Sequence, residues 1–113
     1  MAQVIAGIPD LMFRSRVIEA AKALSVSLET VRDADELIRK VREEKPLLVL
    51  LDLQAPSLRP LETLQSLLGV PVVGYLNHEL VELREQALAA GCGEVLTKGQ
   101  FAAGLPKILG RVL

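Results

Sequence analysis

The sequence predicts an α/β domain in which a five-stranded parallel sheet lies between two layers of helices. Short apolar segments alternate five times with amphipathic ones, and the segment Leu47–Leu53 is apolar at every position but one. Alternation of this kind is typical of parallel strands joined by right-handed helical crossovers. A strand that is apolar throughout is typical of the centre of a sheet that helices cover on both faces. The predicted fold class is therefore a three-layer, doubly wound α/β sheet.

The first part of the chain predicts two strands and two helices. Residues 3–7 form an apolar run that ends in glycine, and a helix follows from Asp10, which we expect to cap it. Polar and apolar residues alternate over 26–31, which indicates a half-buried strand near an edge of the sheet. Asp33 is expected to cap the second helix, which ends before Pro46.

The second part predicts three more strands, each followed by a helix. In chain order these are a strand over 47–53, a helix over 61–68, a strand over 70–76, a helix over 79–90, a strand over 94–97 and a helix that runs to Val112. Gly91 is expected to end the fourth helix, because glycine is the commonest residue just after a helix. Gly104 and Pro106 disfavour the first turn of the last helix.

Composition excludes several classes of function. The chain has 113 residues, of which 50% are apolar and 24% charged, so we expect one folded domain over residues 1–113. A formal charge of -1 offers no basic surface for nucleic acid or anionic lipid. One cysteine and one histidine cannot form an internal disulfide or a His/Cys metal cluster. No segment resembles a membrane span or a signal peptide, so we expect a cytoplasmic protein.

Two charged residues follow predicted strands at the edge where parallel sheets bind ligands. Asp52 ends the most apolar strand, where a carboxylate is costly to bury without a partner, and Lys98 follows the last strand. We expect the two to form an ion pair, so that Asp52→Asn would lower stability by about 1–3 kcal/mol. One interpretation is a structural pair. The other is an acceptor carboxylate whose acyl phosphate the ammonium neutralises.

His78 and Cys92 are the other side chains with chemical potential. We interpret His78 as a polar residue at a helix start, because Glu79 is its only acidic neighbour in the sequence, and Cys92, between Gly91 and Gly93, as a small buried residue. The aromatic residues Phe13, Tyr75 and Phe101 are too few and too scattered for a base-stacking or flavin site. We expect them to pack in the core or at its rim, and we expect no cofactor.

The chain resembles the receiver domains of two-component response regulators over nearly its whole length. The segment LLVLLDLQAP, residues 47–56, is similar to their third strand with its phosphoacceptor aspartate. The segment LTKGQF, residues 96–101, is similar to their fifth strand with its lysine. Two further segments match their fourth strand and their first turn and helix: VPVV at 70–73 and GIPDLMFRSRVIEAAKAL at 7–24. The resemblance implies a flavodoxin-like sheet in the order 2-1-3-4-5, with Asp52 and Lys98 at the family's two charged positions.

Other receiver positions hold different residues. The family binds magnesium through two acidic residues after the first strand, where this chain has Ala6 and Gly7, and Asp10 is the only acid nearby. Leu76 occupies the position of the switch threonine or serine and cannot hydrogen-bond a phosphoryl oxygen. One remaining aspartate would hold Mg²⁺ poorly. We therefore predict a vestigial phosphoacceptor pocket without a metal ion, formed by Asp52, Lys98, Leu76 and Asp10.

The resemblance and these departures predict a stand-alone pseudo-receiver. It would be a protein-interaction module in a bacterial signalling or regulatory pathway, without enzymatic activity and without a nucleic-acid, membrane or small-molecule partner. Leu53 and Leu76 would form a small exposed apolar patch. The resemblance also implies docking of a protein partner, or formation of a homodimer, through the fourth helix, fifth strand and fifth helix. The charged residues of that surface would be Glu82, Arg84, Glu85, Lys107 and Arg111.

Three alternatives stay open. The chain could be a working receiver that accepts phosphate at Asp52, with atypical metal ligation through Asp10 and Asp52. It could be a flavodoxin-like domain that binds a small ligand, which a saturable gain in thermal stability would reveal. It could also be a subunit whose function appears only in a larger complex.

Overall fold

A computed structural model describes residues 1–113 and contains five strands and five helices. In chain order the elements are β1 Val4–Gly7, α1 Leu11–Ala23, β2 Leu28–Val31, α2 Ala34–Glu44, β3 Leu48–Asp52, α3 Pro60–Gln65, β4 Val72–Leu76, α4 Val81–Ala89, β5 Glu94–Thr97 and α5 Lys98–Gly110. A short 3-10 turn over Pro56–Leu58 precedes α3. The predicted alternation of strands and helices is confirmed.

The five strands form one parallel sheet in the order β2-β1-β3-β4-β5. This confirms the predicted fold class and strand order. β3 lies at the centre, and its first four residues are all buried, as an unbroken apolar run requires. β2 lies at an edge, in agreement with its alternating pattern. The strand order reverses at β1 and β3, so their carboxyl ends flank the crevice where such sheets bind ligands.

The two faces of the sheet carry different cores. Helices α2, α3 and α4 cover a core of 17 buried residues that are all aliphatic apart from Cys92, and we call this side the aliphatic face. Helices α1 and α5 cover a core of 16 buried residues that includes Phe13, Tyr75 and Phe101, and we call this side the aromatic face. Because side chains alternate along a strand, Asp52 shares the aromatic face with Leu50 two residues earlier.

Side chains fix where three of the helices begin. Asp10 and Asp33 each accept a hydrogen bond of 2.8 Å from the backbone N–H three residues later, which confirms both predicted caps. Thr97 caps α5, and Gln100 accepts a hydrogen bond from the backbone of Thr97 in return. This reciprocal cap makes the first turn of α5 regular, although the sequence disfavours it. Pro106 lies further along, inside the helix.

The remaining helix ends agree with the local sequence. Gly91 follows α4 with a φ of 109°, a backbone conformation that side chains with a Cβ rarely adopt, so its predicted role in ending that helix is confirmed. The left-handed Lys45 ends α2 just before Pro46, where the sequence predicts a stop. No helix of the chain combines the length and the apolar character that crossing a bilayer requires.

Candidate functional site at the carboxyl edge of the sheet

The four predicted pocket residues lie at the carboxyl edge of the sheet. Asp52 ends β3, Leu76 ends β4, Lys98 begins α5 directly after β5, and Asp10 caps α1. Their environments differ: Asp52 is half-buried, Leu76 is buried, and Asp10 and Lys98 are exposed. The topology therefore gathers all four at one edge, but it does not bring them into one set of contacts.

The Asp52 carboxylate is held by the backbone and not by a cation. Its Oδ1 accepts a hydrogen bond of 2.9 Å from the N–H of Gln54. The Gln54 side chain in turn accepts a hydrogen bond of 2.7 Å from the N–H of Asn77, which connects the loop after β3 to the end of β4. No lysine, arginine or histidine nitrogen lies within 4.0 Å of Asp52.

The expected ion pair between Asp52 and Lys98 is therefore wrong. Lys98 Nζ lies 4.9 Å from the centroid of the Phe13 ring, within the range of a cation–π contact. Tyr75 supplies the physical reason, because β4 lies between β3 and β5. Tyr75 pairs in register with Asp52 on one side and with Leu96, two residues before Lys98, on the other. Its side chain thus stands between the carboxylate and the ammonium.

Tyr75 is fixed in this position by an aromatic cluster, which consists of Phe13, Tyr75 and Phe101. Its ring centroid lies 5.0 Å from that of Phe13 and 4.7 Å from that of Phe101. All three residues are buried, so the prediction that they pack in the core is confirmed. Although they are scattered along the chain, α1, β4 and α5 bring them together, and their packing keeps Tyr75 in place.

The Tyr75 hydroxyl oxygen is buried and has no hydrogen-bond partner within 3.5 Å. Asp52 is nevertheless near enough to act on it both by charge and by a longer side-chain interaction, and Asp10 acts on it by charge. Burial, followed by the negative charge of Asp52, raises the pKa of Tyr75 far above its usual value, so the hydroxyl stays protonated. Sequence reasoning missed Tyr75 as a site residue. The available signal was a large aromatic one position before Leu76, on a strand predicted to neighbour Asp52.

Leu76 and Leu53 pack into the aliphatic face. Each is 2% exposed, so the expected exposed patch is wrong. The close fit of Leu53 against Gly74 explains its burial, because a Cβ at Gly74 would lie 2.8 Å from the Leu53 side chain. Both leucines belong to the core and are not available to a partner.

The residues at this edge do not fit the magnesium site that the resemblance implies. β1 ends in Ala6 and Gly7, and the next residue, Ile8, is buried in the core. Asp10 and Asp52 each use one carboxylate oxygen for a backbone hydrogen bond. No group of three or more His, Cys, Asp or Glu side chains in the chain could hold a metal ion. Mg²⁺ favours a near-octahedral set of oxygen ligands that includes carboxylates, and this edge offers only two, each with one oxygen in a backbone hydrogen bond.

The predicted interaction surface lies on and beside α4 and α5. Its five residues are all exposed: Glu82, Arg84, Glu85, Lys107 and Arg111. Arg111 already has a partner within the chain, since its Nη1 lies 2.8 Å from Glu94 Oε2 on β5. The hydrogen bond from Arg111 lowers the pKa of the Glu94 carboxyl. Of the three basic residues, Arg84 and Lys107 have no carboxylate oxygen within 4.0 Å.

Helix α4 leaves apolar surface uncovered. Only Ala87 of its nine residues is buried, whereas Val81 is 59% exposed and Leu88 is 40% exposed. Val81, Glu85 and Leu88 follow at spacings of four and three residues, which places them along one side of the helix. Charged and apolar residues thus share the outer side of α4.

The other candidate side chains behave as the sequence predicts. His78 is exposed just before α4, with its Nδ1 3.5 Å from a carboxylate oxygen of Glu79. Cys92 is buried, and its Sγ lies 3.3 Å from the carbonyl oxygen of Glu94. Burial raises the pKa of the Cys92 thiol, which keeps it protonated and weakly nucleophilic.

Comparisons with known proteins identify the fold. No protein-family profile and no curated protein sequence matches the chain. A response regulator from Hahella chejuensis is similar with a TM-score of 0.87 and 17% identity, over 100% of this chain and 96% of that one. The chemotaxis response regulator CheY4 of Vibrio cholerae is similar with a TM-score of 0.83 and 22% identity, over 100% and 99%.

Longer regulators contain the same fold as one part. NtrX from Brucella abortus is similar with a TM-score of 0.80 and 22% identity, and the match covers 100% of this chain but 27% of NtrX. The chain therefore has the fold of response-regulator receiver domains, as the resemblance in its sequence implies. At these levels of identity the likeness concerns the fold.

Proposed function

We propose that the chain is a pseudo-receiver, a protein-interaction module that acts in cytoplasmic signal transduction or regulation without accepting a phosphoryl group and without catalysis. The observation that carries this proposal is that no cationic nitrogen lies within 4.0 Å of Asp52, because Lys98 lies against the Phe13 ring and Tyr75 occupies the strand between them. Phosphorylation would convert the Asp52 carboxylate into an acyl phosphate, which carries more negative charge, at a place where no cationic nitrogen lies within 4.0 Å. Stabilising such a group requires positive charge at that place.

The other residues at this edge support the same conclusion. Leu76 offers no hydroxyl to a phosphoryl oxygen, and it is packed into the aliphatic face. Asp10 is engaged as the cap of α1. The edge thus offers an acceptor carboxylate without a cation within 4.0 Å of it, and position 76 supplies no hydroxyl.

The experiment is incubation with acetyl phosphate and Mg²⁺, followed by intact-mass measurement. We expect the wild-type chain and Asp52→Asn to give the same mass, with no added phosphoryl group. A phosphorylated species in the wild type that is absent from Asp52→Asn would overturn the proposal. That outcome would support the working-receiver alternative.

Self-association through α4 and α5 is the second part of the proposal. Glu82 and Glu85 of α4 and Lys107 of α5 are exposed on the two helices that contact the edge strand β5. Two copies related by a twofold axis could pair α4 acids with α5 bases, because such an interface presents the same surface twice. Val81 and Leu88 would supply apolar area to bury.

Sedimentation over a wide concentration range tests this interface. We expect a reversible dimer that Lys107→Glu weakens and that Lys107→Glu combined with Glu85→Lys restores. Arg42→Glu on α2 is the control, because Arg42 is exposed and lies on a different helix. A strict monomer at every concentration would refute self-association. If Arg42→Glu weakens the dimer as much as Lys107→Glu does, the proposal that α4 and α5 form the dimer interface is wrong.

A further inference from the structure

Two cationic side chains approach one aromatic ring on the side of the molecule where α1 and α5 begin. The Lys98 Nζ lies 4.9 Å from the centroid of the Phe13 ring, and the Arg16 Cζ lies 5.9 Å from it. Neither side chain has a carboxylate oxygen within 4.0 Å. Both residues are exposed. The chain therefore gathers positive charge at a place where no acidic group of its own neutralises it by contact.

The two cations line an open cleft of about 470 Å³ between the first turns of α1 and α5. Met12 and Ala102 contribute apolar surface to the cleft, and Met12 is 81% exposed. Asp10 also lines it, but one of its oxygens already accepts the capping hydrogen bond from α1. The cleft thus combines a charged rim with an apolar wall, as binding sites for small organic molecules commonly do.

The charge of the cleft favours a singly charged anion. Arg16 and Lys98 contribute two positive charges and Asp10 one negative charge, which leaves +1. The backbone N–H groups at the start of α5 add to the positive potential. Gly99 lies in this first turn, and a Cβ built on it would meet no atom within 4 Å, so a ligand can approach the backbone there.

Tyr75 keeps Lys98 available to the cleft. Because its ring separates Lys98 from Asp52, the ammonium has no strong internal partner that a ligand would have to displace. The contact with Phe13 holds the Lys98 side chain beside the cleft. The position of Tyr75, which keeps Lys98 away from Asp52, thus leaves the lysine exposed beside the cleft.

We propose that this cleft binds a carboxylate carried on an apolar or aromatic body. Lys98 and Arg16 bind the carboxylate, and the body rests against Met12 and Ala102. This site is separate from the proposed interaction surface of α4 and the far end of α5, so the two proposals can fail independently.

The experiment is an NMR titration of the ¹⁵N-labelled chain with benzoate, with benzamide as the uncharged control. We expect saturable shifts of backbone amides confined to residues 10–16 and 98–102. Lys98→Met and Arg16→Met should each weaken the apparent affinity by at least about threefold, because each removes one exposed ionic contact. Lys22→Met, on α1 but outside the cleft, should leave benzoate binding unchanged.

Several outcomes would overturn the proposal. One is the absence of saturable shifts up to about 20 mM benzoate, a concentration that would detect even millimolar binding. The others are binding of benzamide as tight as that of benzoate, and benzoate binding that is unchanged in both Lys98→Met and Arg16→Met. Tighter binding of inorganic phosphate than of benzoate would show that the ligand class is wrong. Because the substituted side chains are exposed, the variants are expected to fold.

Discussion

The two faces of the sheet differ in what their edge residues can do. Tyr75 and Leu76 are neighbours on β4, but they point to opposite faces. Leu76 joins a core of aliphatic side chains and is closed off, whereas Tyr75 joins the aromatic cluster and carries a hydroxyl to the edge beside Asp52. The face that each residue joins therefore decides whether its side chain is closed off in the core or approaches Asp52.

The largest effect is expected where the aromatic cluster itself is broken. Phe101 is fully buried, and Phe101→Ala should lower the free energy of unfolding by about 3–5 kcal/mol through lost contacts and a residual cavity. The matched change on the aliphatic face is Leu64→Ala, with an expected loss of about 2–5 kcal/mol. Urea unfolding measures both. A loss below about 1 kcal/mol for Phe101→Ala would mean that the cluster does not hold this face together.

A polar group on the aliphatic face should have an intermediate effect. Leu76→Thr places a hydroxyl in an aliphatic core, and we expect a loss of about 1–3 kcal/mol relative to Leu76→Val, which has nearly the same shape. Comparing the two variants by urea unfolding isolates the hydroxyl from the change in volume. Equal stabilities would show that position 76 is open to water or to a polar partner.

Removal of the unpaired hydroxyl from the aromatic face should cost almost nothing. The Tyr75 oxygen is buried without a hydrogen bond, so Tyr75→Phe should leave the free energy of unfolding unchanged or raise it by up to about 1 kcal/mol. Urea unfolding of the wild type and Tyr75→Phe measures this difference. A clear loss of stability would show that the hydroxyl does have a partner at this edge, with Asp52 as the first candidate.

The smallest effect is expected at the surface pair of Arg111 and Glu94. Both side chains are more than a third exposed, so Arg111→Met should cost less than about 1 kcal/mol at neutral pH. Because Arg111 lowers the pKa of Glu94, the pair stabilises the fold above the usual pKa of a glutamate, and this stability is lost as the pH falls below about 4. The free energies of unfolding of the wild type and Arg111→Met should therefore become equal in acid. A difference that persists unchanged at low pH would assign the effect of Arg111 to packing.

The sequence predicts the fold well because the fold depends on local patterns. The apolar run of β3, the caps Asp10 and Asp33, and the glycine after α4 each act within a few residues of themselves. The places of Asp52 and Lys98 at strand ends follow from the predicted strands, whereas the strand order follows from the resemblance to receiver domains, and the structure confirms the order. These features require no knowledge of which side chains meet across the sheet.

The geometry of the site depends on contacts between distant segments, and there the sequence fails. Whether Asp52 reaches Lys98 is decided by Tyr75 on the strand between them, which Phe13 and Phe101 hold from two different helices. Leu76 likewise looks exposed when it is judged by its place at a strand end, but the helices of the aliphatic face cover it. Neither outcome can be derived from the spacing of residues alone.

A double-mutant cycle on Asp52 and Lys98 tests the central claim most directly. The free energies of unfolding of the wild type, Asp52→Asn, Lys98→Met and the double variant give the coupling energy between the two side chains. Because Tyr75 separates them, we predict a coupling below about 0.5 kcal/mol, with Asp52→Asn alone nearly neutral because asparagine can still accept the Gln54 N–H. A coupling above about 1.5 kcal/mol would mean that the two charges meet, and it would contradict the account.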